Sequence, residues 1–236
     1  MSGEPTPPAT AEFDAFAESY DRELEAGLAI AGENKLYFAR GRLQWLSRRL
    51  RELDSRPETV LDFGCGDGVS APLIFELVGA KTLLGVDLSD RLLEIARSRH
   101  GYLNARFLRR EQAQPDGRHD LAFCNGVLHH IQPGERPGTL EYVHRFLRPG
   151  GLFALWENNP WNPGTRYIMS RVSFDRDAIT LTAPEARRML RAAGFEVLHT
   201  DFLFVFPRWL RGLRPLEPML AGLPLGGQYQ VLCRRA

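Results

Sequence analysis

Cysteine is scarce in this chain: Cys65, Cys124 and Cys233 stand among 236 residues, with no CxxC pair. An odd count without a framework excludes a disulfide scaffold and fits reduced thiols in a cytoplasmic protein. No cysteine–histidine spacing reads as a zinc site, and no metal is expected. Long apolar runs are also missing. Phe202 to Phe206 is stopped by Pro207 and Arg208, far short of a membrane span, so no stable membrane insertion is expected. The first residues lack the basic-then-apolar pattern of a signal peptide. Charge of one sign is lacking too. A formal net charge of +1 argues against general affinity for nucleic acid or acidic membranes. Two small basic clusters, Arg48, Arg49 and Arg51, and Arg208, Arg211 and Arg214, read as solvated helix faces.

What is present is an alternation of strands and helices. A Pro, Thr and Ala-rich start of ten residues precedes a helical pattern from about Phe13 to Leu53. Leu43, Leu46, Leu50 and Leu53 share one face of it, and Asp54 to Pro57 break it. Strands are expected at Thr59–Phe63, Thr82–Val86, Ala105–Leu108, Leu121–Cys124, Leu152–Trp156, Phe195–Phe206 and Gln228–Cys233. Helices lie between them. One is capped by Ser89, one runs from about Thr139 to Leu147 before Pro149, Gly150 and Gly151, and one opens on the capping box of Thr182 and Glu185. Such alternation implies a mainly parallel sheet covered on both faces, with ligands beyond the carboxyl ends of its strands.

The most informative segment is Val60-Leu61-Asp62-Phe63-Gly64-Cys65-Gly66-Asp67-Gly68. An apolar strand runs into an acid and then into glycines at alternate positions. Glycine permits positive φ and close approach of a ligand to the backbone. The amides opening the next helix can receive a polar or anionic group. A dinucleotide fold would place its third glycine at residue 69, which is Val. Asp87 closes the second strand about twenty residues later, where a carboxylate can accept from both hydroxyls of a ribose. It can equally be a helix N-terminal acid.

The DxGxGxG spacing resembles motif I of the class I S-adenosylmethionine-dependent methyltransferases. Two further stretches look like the type 11 group of these enzymes: His119 to Ile131, with Asn125, His129 and His130, and Phe146-Leu147-Arg148-Pro149-Gly150-Gly151. The resemblance covers about residues 55 to 156. It implies an α/β, Rossmann-like, doubly wound sheet of seven strands with the last one antiparallel. It implies one domain over 1–236, with a helical extension over 10–53 as a cap and insertions at 157–180 and 207–227 on the substrate side. It implies S-adenosyl-L-methionine as cofactor, held by Asp62, Gly64, Cys65, Gly66 and Gly68 at its methionine end and by Asp87 and Leu88 at its ribose. Glu111 and Gln112 would lie at the adenine, Asn125 near the methionine moiety, and Tyr20 on the cap. Glu111 can instead pair with Arg109 or Arg110.

The sulfonium already activates the methyl group, so aligning an acceptor supplies much of the chemistry, and a base is needed only for a protonated nucleophile. His129 is the candidate base, since histidine titrates near neutrality; it can also be a structural histidine. Glu157 is the candidate catalytic carboxylate. His130, Asn158, Trp161, Arg166 and Tyr167 are candidates for binding the acceptor, within a stretch that breaks the strand–helix rhythm. That stretch can also be an Asn/Pro-rich turn stabilising itself. Glu157-Asn158-Asn159-Pro160-Trp161 is not the Asn-Pro-Pro-aromatic tetrad of amide-nitrogen methylation. Trp209, Leu210, Leu213, Leu216, Met219 and Leu220 read as packing against the sheet edge, with an acceptor wall, a homodimer surface or a membrane-surface patch left open. The expected activity is methyl transfer to oxygen or nitrogen of a small metabolite. The competing readings are a non-catalytic cofactor-binding regulator and methylation of a macromolecule.

Overall fold

The structure is a computed structural model that describes residues 32–176 and 178–236. Tyr20, and the expected cap before residue 32, lie outside the described residues. Seven strands form one sheet: β1 (Thr59–Phe63), β2 (Thr82–Asp87), β3 (Ala105–Arg109), β4 (His119–Asn125), β5 (Leu147–Asn158), β6 (Phe195–Leu203) and β7 (Gln228–Arg235). Their order is β3-β2-β1-β4-β5-β7-β6. β1 to β5 pair in parallel, and β7 runs antiparallel to both β5 and β6. The expected doubly wound sheet with an antiparallel last strand is therefore the observed one. The order turns back between β1 and β4, which opens a crevice beyond their carboxyl ends.

On one face lies α1 (Lys35–Glu52), capped by Asn34, whose side chain accepts the Tyr37 amide at 2.9 Å. Its leucine stripe does what the spacing implies: Leu43, Leu46 and Leu50 are buried, each contributing about 1.5–3 kcal/mol by burial. Asp201 of β6 holds the helix down. It accepts from Trp45 Nε1 at 2.9 Å and from Arg49 Nε at 2.9 Å and Nη2 at 2.6 Å. The helix α2 (Ala71–Leu73) continues as a wider turn, Ile74–Val78, and α3 (Asp90–His100) is capped by Ser89. On the opposite face α4 (Arg136–Phe146) packs beside α6 (Ala183–Ala192), which opens on the expected capping box of Thr182 and Glu185. Between these two lies the short α5 (Pro163–Met169).

Three expectations need correction. Pro149, Gly150 and Gly151 do not separate helix from strand. They lie inside β5, where the partner register jumps from His119↔Leu147 to Leu121↔Leu152. A proline without an amide donor is tolerated at such a bulge. β6 ends at Leu203, because Phe204 adopts a left-handed conformation with φ of 64°. Its ring then turns toward α1 and packs on Phe38 at 4.9 Å. The connection 207–227 does not bury its apolar residues on the sheet edge. It forms a 3-10 stretch, Arg208–Leu216, and the turn α7 (Glu217–Leu220), leaving Trp209 78% and Met219 81% exposed.

Candidate functional site

The turn after β1 is shaped by its glycines. Gly64, Gly66 and Gly68 have φ of 75°, 53° and 78°, a region that disfavours other residues. The amides of Gly64 and Cys65 both donate to the Val86 carbonyl, so the turn is pinned to β2. A Cβ on Gly64 would sit 2.2 Å from Val127, whereas one on Gly66 would meet nothing within 4 Å. The first glycine is thus required by packing, and open space lies over the second.

Asp87 completes this unit. One carboxylate oxygen accepts the Gly66 amide at 2.8 Å, and the other accepts the amides of Leu88 at 2.8 Å and Ser89 at 3.0 Å. The acid therefore ties the residues ahead of α3 to the glycine turn, as a helix N-terminal acid can. Asp62 is buried, and its Oδ2 has no hydrogen-bond partner among the described residues. Burial raises its pKa to about 7, with Asp87 adding to the rise. Cys65 is buried, and its thiol is pushed well up for the same first reason.

Glu111 takes the alternative that its arginine neighbours offered. Its Oε2 accepts from Arg109 Nε at 3.0 Å, and Arg109 also reaches Asp90 at 2.6 Å. Gln112 turns back to the Arg109 amide at 3.3 Å. Glu111 and Leu88 still border one small cleft with Tyr142, beyond the end of β3.

A second, larger cavity of about 410 Å³ opens beyond β4 and β5, under α1. Asn125, Gly126, His129, His130 and Asn158 line it from the sheet, and Asp175 lines it from the connection after α5. From α1 come Tyr37, Phe38 and Arg42. Arg42 Nη1 donates to Gln228 Oε1 at 3.0 Å, and Gln228 Nε2 donates to Asn158 Oδ1 at 3.2 Å, giving one polar wall. Phe204, Phe206 and Trp209 add apolar surface to the lining.

The floor of the cavity is a cluster of charge. His129 Nδ1 lies 2.5 Å from Glu157 Oε2, and Glu157 Oε1 accepts the Leu128 amide at 2.8 Å. On the other side, His129 Nε2 is 3.5 Å from Asp175 Oδ1, and His130 Nε2 is 3.4 Å from the same oxygen. Burial alone would lower the pKa of His129, but Glu157 and Asp175 outweigh it and raise it to about 10. The expected free base is therefore a protonated ring at neutral pH. His130 shifts the other way, lowered by burial and by the charge on His129. Glu157 is 1% exposed, does not line the cavity and spends both oxygens on the loop after β4. Its geometry is that of a positioning residue and not of a group touching an acceptor.

Three expected acceptor contacts are not brought to the cavity. Trp161 is exposed ahead of α5, and Arg166 and Tyr167 lie on that helix's outer face. Helical phase decides this. Gly164, Thr165, Ile168 and Met169 face inward, and Tyr167 instead stacks under the Arg171 guanidinium at 5.2 Å. The sequence reading missed Arg42 and Asp175. Arg42 had a signal, a charged residue between Ala39 and Leu43 on the buried face of α1. Asp175 had none, since only the path of the chain brings it to His129.

A family model described as a methyltransferase domain matches residues 36–200. A Mycolicibacterium smegmatis protein named a probable S-adenosylmethionine-dependent methyltransferase is 28% identical over 218 residues, 89% of this chain and 80% of that one. Trans-aconitate 2-methyltransferase of Streptomyces coelicolor is 28% identical over 224 residues, 81% of this chain and 73% of that one. Among solved structures, the Burkholderia thailandensis 1,6-didemethyltoxoflavin-N1-methyltransferase, with its substrate and S-adenosylhomocysteine bound, superposes with a TM-score of 0.60. It is 21% identical and covers 99% of this chain and 93% of that one.

Proposed function

The chain belongs to the class I S-adenosylmethionine-dependent methyltransferases, and on that premise we propose that it methylates oxygen or nitrogen of a small metabolite bound in the cavity under α1. The observation that carries this reading is the cavity itself. It is lined in part by apolar surface, walled by the Arg42–Gln228–Asn158 chain, and floored by the His129 cluster. A volume of about 410 Å³ suits a small molecule far better than a helix or a nucleic-acid strand. The trans-aconitate and toxoflavin enzymes, whose names give small-molecule substrates, agree with that class.

The residues of the glycine turn fit the cofactor. Space over Gly66 accommodates a ligand that a Cβ would obstruct, and the unshared Asp62 oxygen is a buried acceptor of the kind an ammonium group needs. Gly64, Cys65, Gly66 and Asp62 would hold the amino-acid end, and Asp87 the ribose. When bound, the cofactor supplies an activated methyl group. Asn125, at the carboxyl end of β4, lines the acceptor cavity and would meet the methionine moiety of the cofactor. Glu157 fixes the His129 ring, and His129 and His130 orient the acceptor's attacking atom. The rings of Phe204 and Phe206 would limit water at the acceptor. The segments 157–180 and 207–227 build the acceptor side of this arrangement, as single insertions in one domain.

The test is incubation of the protein with isotopically labelled methyl donor and a fractionated cell extract. Label should appear in one low-mass product identified by mass spectrometry. Label confined to protein or RNA would reject the small acceptor.

A further inference from the structure

The His129 cluster has a geometry that ion pairing does not require. Nε2 of His129 and Nε2 of His130 converge on a single oxygen of Asp175, at 3.5 and 3.4 Å. Charge-assisted N–H···O contacts close to about 2.7–2.9 Å when nothing keeps them apart. By contrast, the Glu157 contact on the far side of His129 has closed to 2.5 Å. One candidate ligand atom from each of the three residues lies within 4.8 Å of the other two. Ligand atoms roughly 2.0–2.1 Å from a tetrahedral ion stand about 3.3–3.4 Å apart, which matches the spacings to Asp175.

The surroundings complete the pattern. Glu157 on Nδ1 of His129 leaves Nε2 facing Asp175, the carboxylate–histidine arrangement that orients metal-binding imidazoles. Glu157 is itself held by the Leu128 amide, so the ring cannot turn freely. Both histidines and Asp175 line the cavity, which leaves the remaining side open to an acceptor. Successive histidines on the 3-10 turn Leu128–His130 are what allow both rings to face one point, with centroids 4.1 Å apart.

We propose that His129, His130 and Asp175 form a site for a divalent first-row cation, with zinc or ferrous iron the ions their two-nitrogen, one-oxygen set suits best. This contradicts the sequence expectation of no metal. The open position would take an oxygen of the acceptor and set it toward the methyl group. That use of the ion rests on the small-acceptor reading, whereas the site itself does not.

Metal-stripped protein is titrated with zinc, and in parallel with ferrous iron under anaerobic conditions, by calorimetry and by competition with a chromophoric chelator. One ion per chain should bind, and His130→Ala and Asp175→Asn should each weaken binding at least tenfold. Cobalt substitution should give the visible bands of a nitrogen–oxygen site in the parent and not in the variants. Uptake of S-adenosylhomocysteine confirms that each variant is folded. Absence of stoichiometric binding of either ion to the parent, or equal binding by parent and both variants, overturns the site. Metal uptake needs no acceptor. A bound ion with no low-mass methylated product would therefore uphold the site and reject the small acceptor, and the reverse pair of results would do the opposite.

Discussion

The carboxylate of Asp87 accepts the amide of Gly66 at 2.8 Å, across 21 residues of sequence. The end of β2 and the tip of the glycine turn are therefore one mechanical unit, and a change at either residue acts on both. Asp87→Ala should weaken S-adenosylhomocysteine binding by about 1–3 kcal/mol, the cost of unsatisfied polar groups at one site. Asp87→Asn keeps an acceptor oxygen and should lose less. Calorimetry checks both, and equal affinity in all three proteins would remove Asp87 from the cofactor seat.

Asp62 sets a pH dependence on stability. Its folded pKa of about 7 lies above the ordinary carboxylate value of 3.8, raised by burial and by Asp87. The folded protein thus keeps a proton that the unfolded chain has lost. This group's contribution is at its fullest below about pH 4 and is lost as pH rises through 7. Without cofactor, Asp62→Asn should lessen the fall in unfolding free energy between pH 5 and 8, measured by denaturant titration. An unchanged fall would show that Asp62 ionises normally.

The anchoring of α1 rests on Asp201. It is 3% exposed and takes the Trp45 indole and the Arg49 guanidinium together. Removing one partner of a buried pair costs about 3–5 kcal/mol, and the partial exposure of Arg49 reduces this. Asp201→Ala should lower stability by roughly 2–4 kcal/mol, and Asp201→Asn by less. Because α1 roofs the cavity, thermal denaturation should be followed together with the KM for acceptor. A change of under 1 kcal/mol, measured by denaturant titration, would mean that the leucine face alone seats the helix.

Much of the fold is legible in the sequence for a physical reason. β1 and β2 are mostly buried, so they read as short apolar stretches, interrupted by Asp62 in one and Gly85 in the other, and Gly64 and Asp87 punctuate their ends. α6 is announced by Thr182 and Glu185, a local hydrogen-bond signal. The bulge in β5 and the early end of β6 are not legible. The first depends on how β4 pairs with residues on either side of Pro149, and the second on Phe204 finding Phe38 across the fold. In the site, Asp62, Asp87 and the glycines are legible because their spacing is local. Trp161, Arg166 and Tyr167 misled because polar and aromatic character in a loop does not say which way a short helix turns. Asp175 was invisible, being 46 residues from His129 in sequence and 3.5 Å from its ring only after folding.

The cofactor seat is tested most directly at Gly66, where a side chain would enter open space at a φ of 53°. Left-handed backbone costs an alanine about 1–2 kcal/mol, so Gly66→Ala should remain folded. S-adenosylhomocysteine titrated into the parent protein should bind saturably at one site, and Gly66→Ala, folded by circular dichroism, should bind at least tenfold more weakly. Saturable binding of equal affinity in the two proteins would contradict the seat described here.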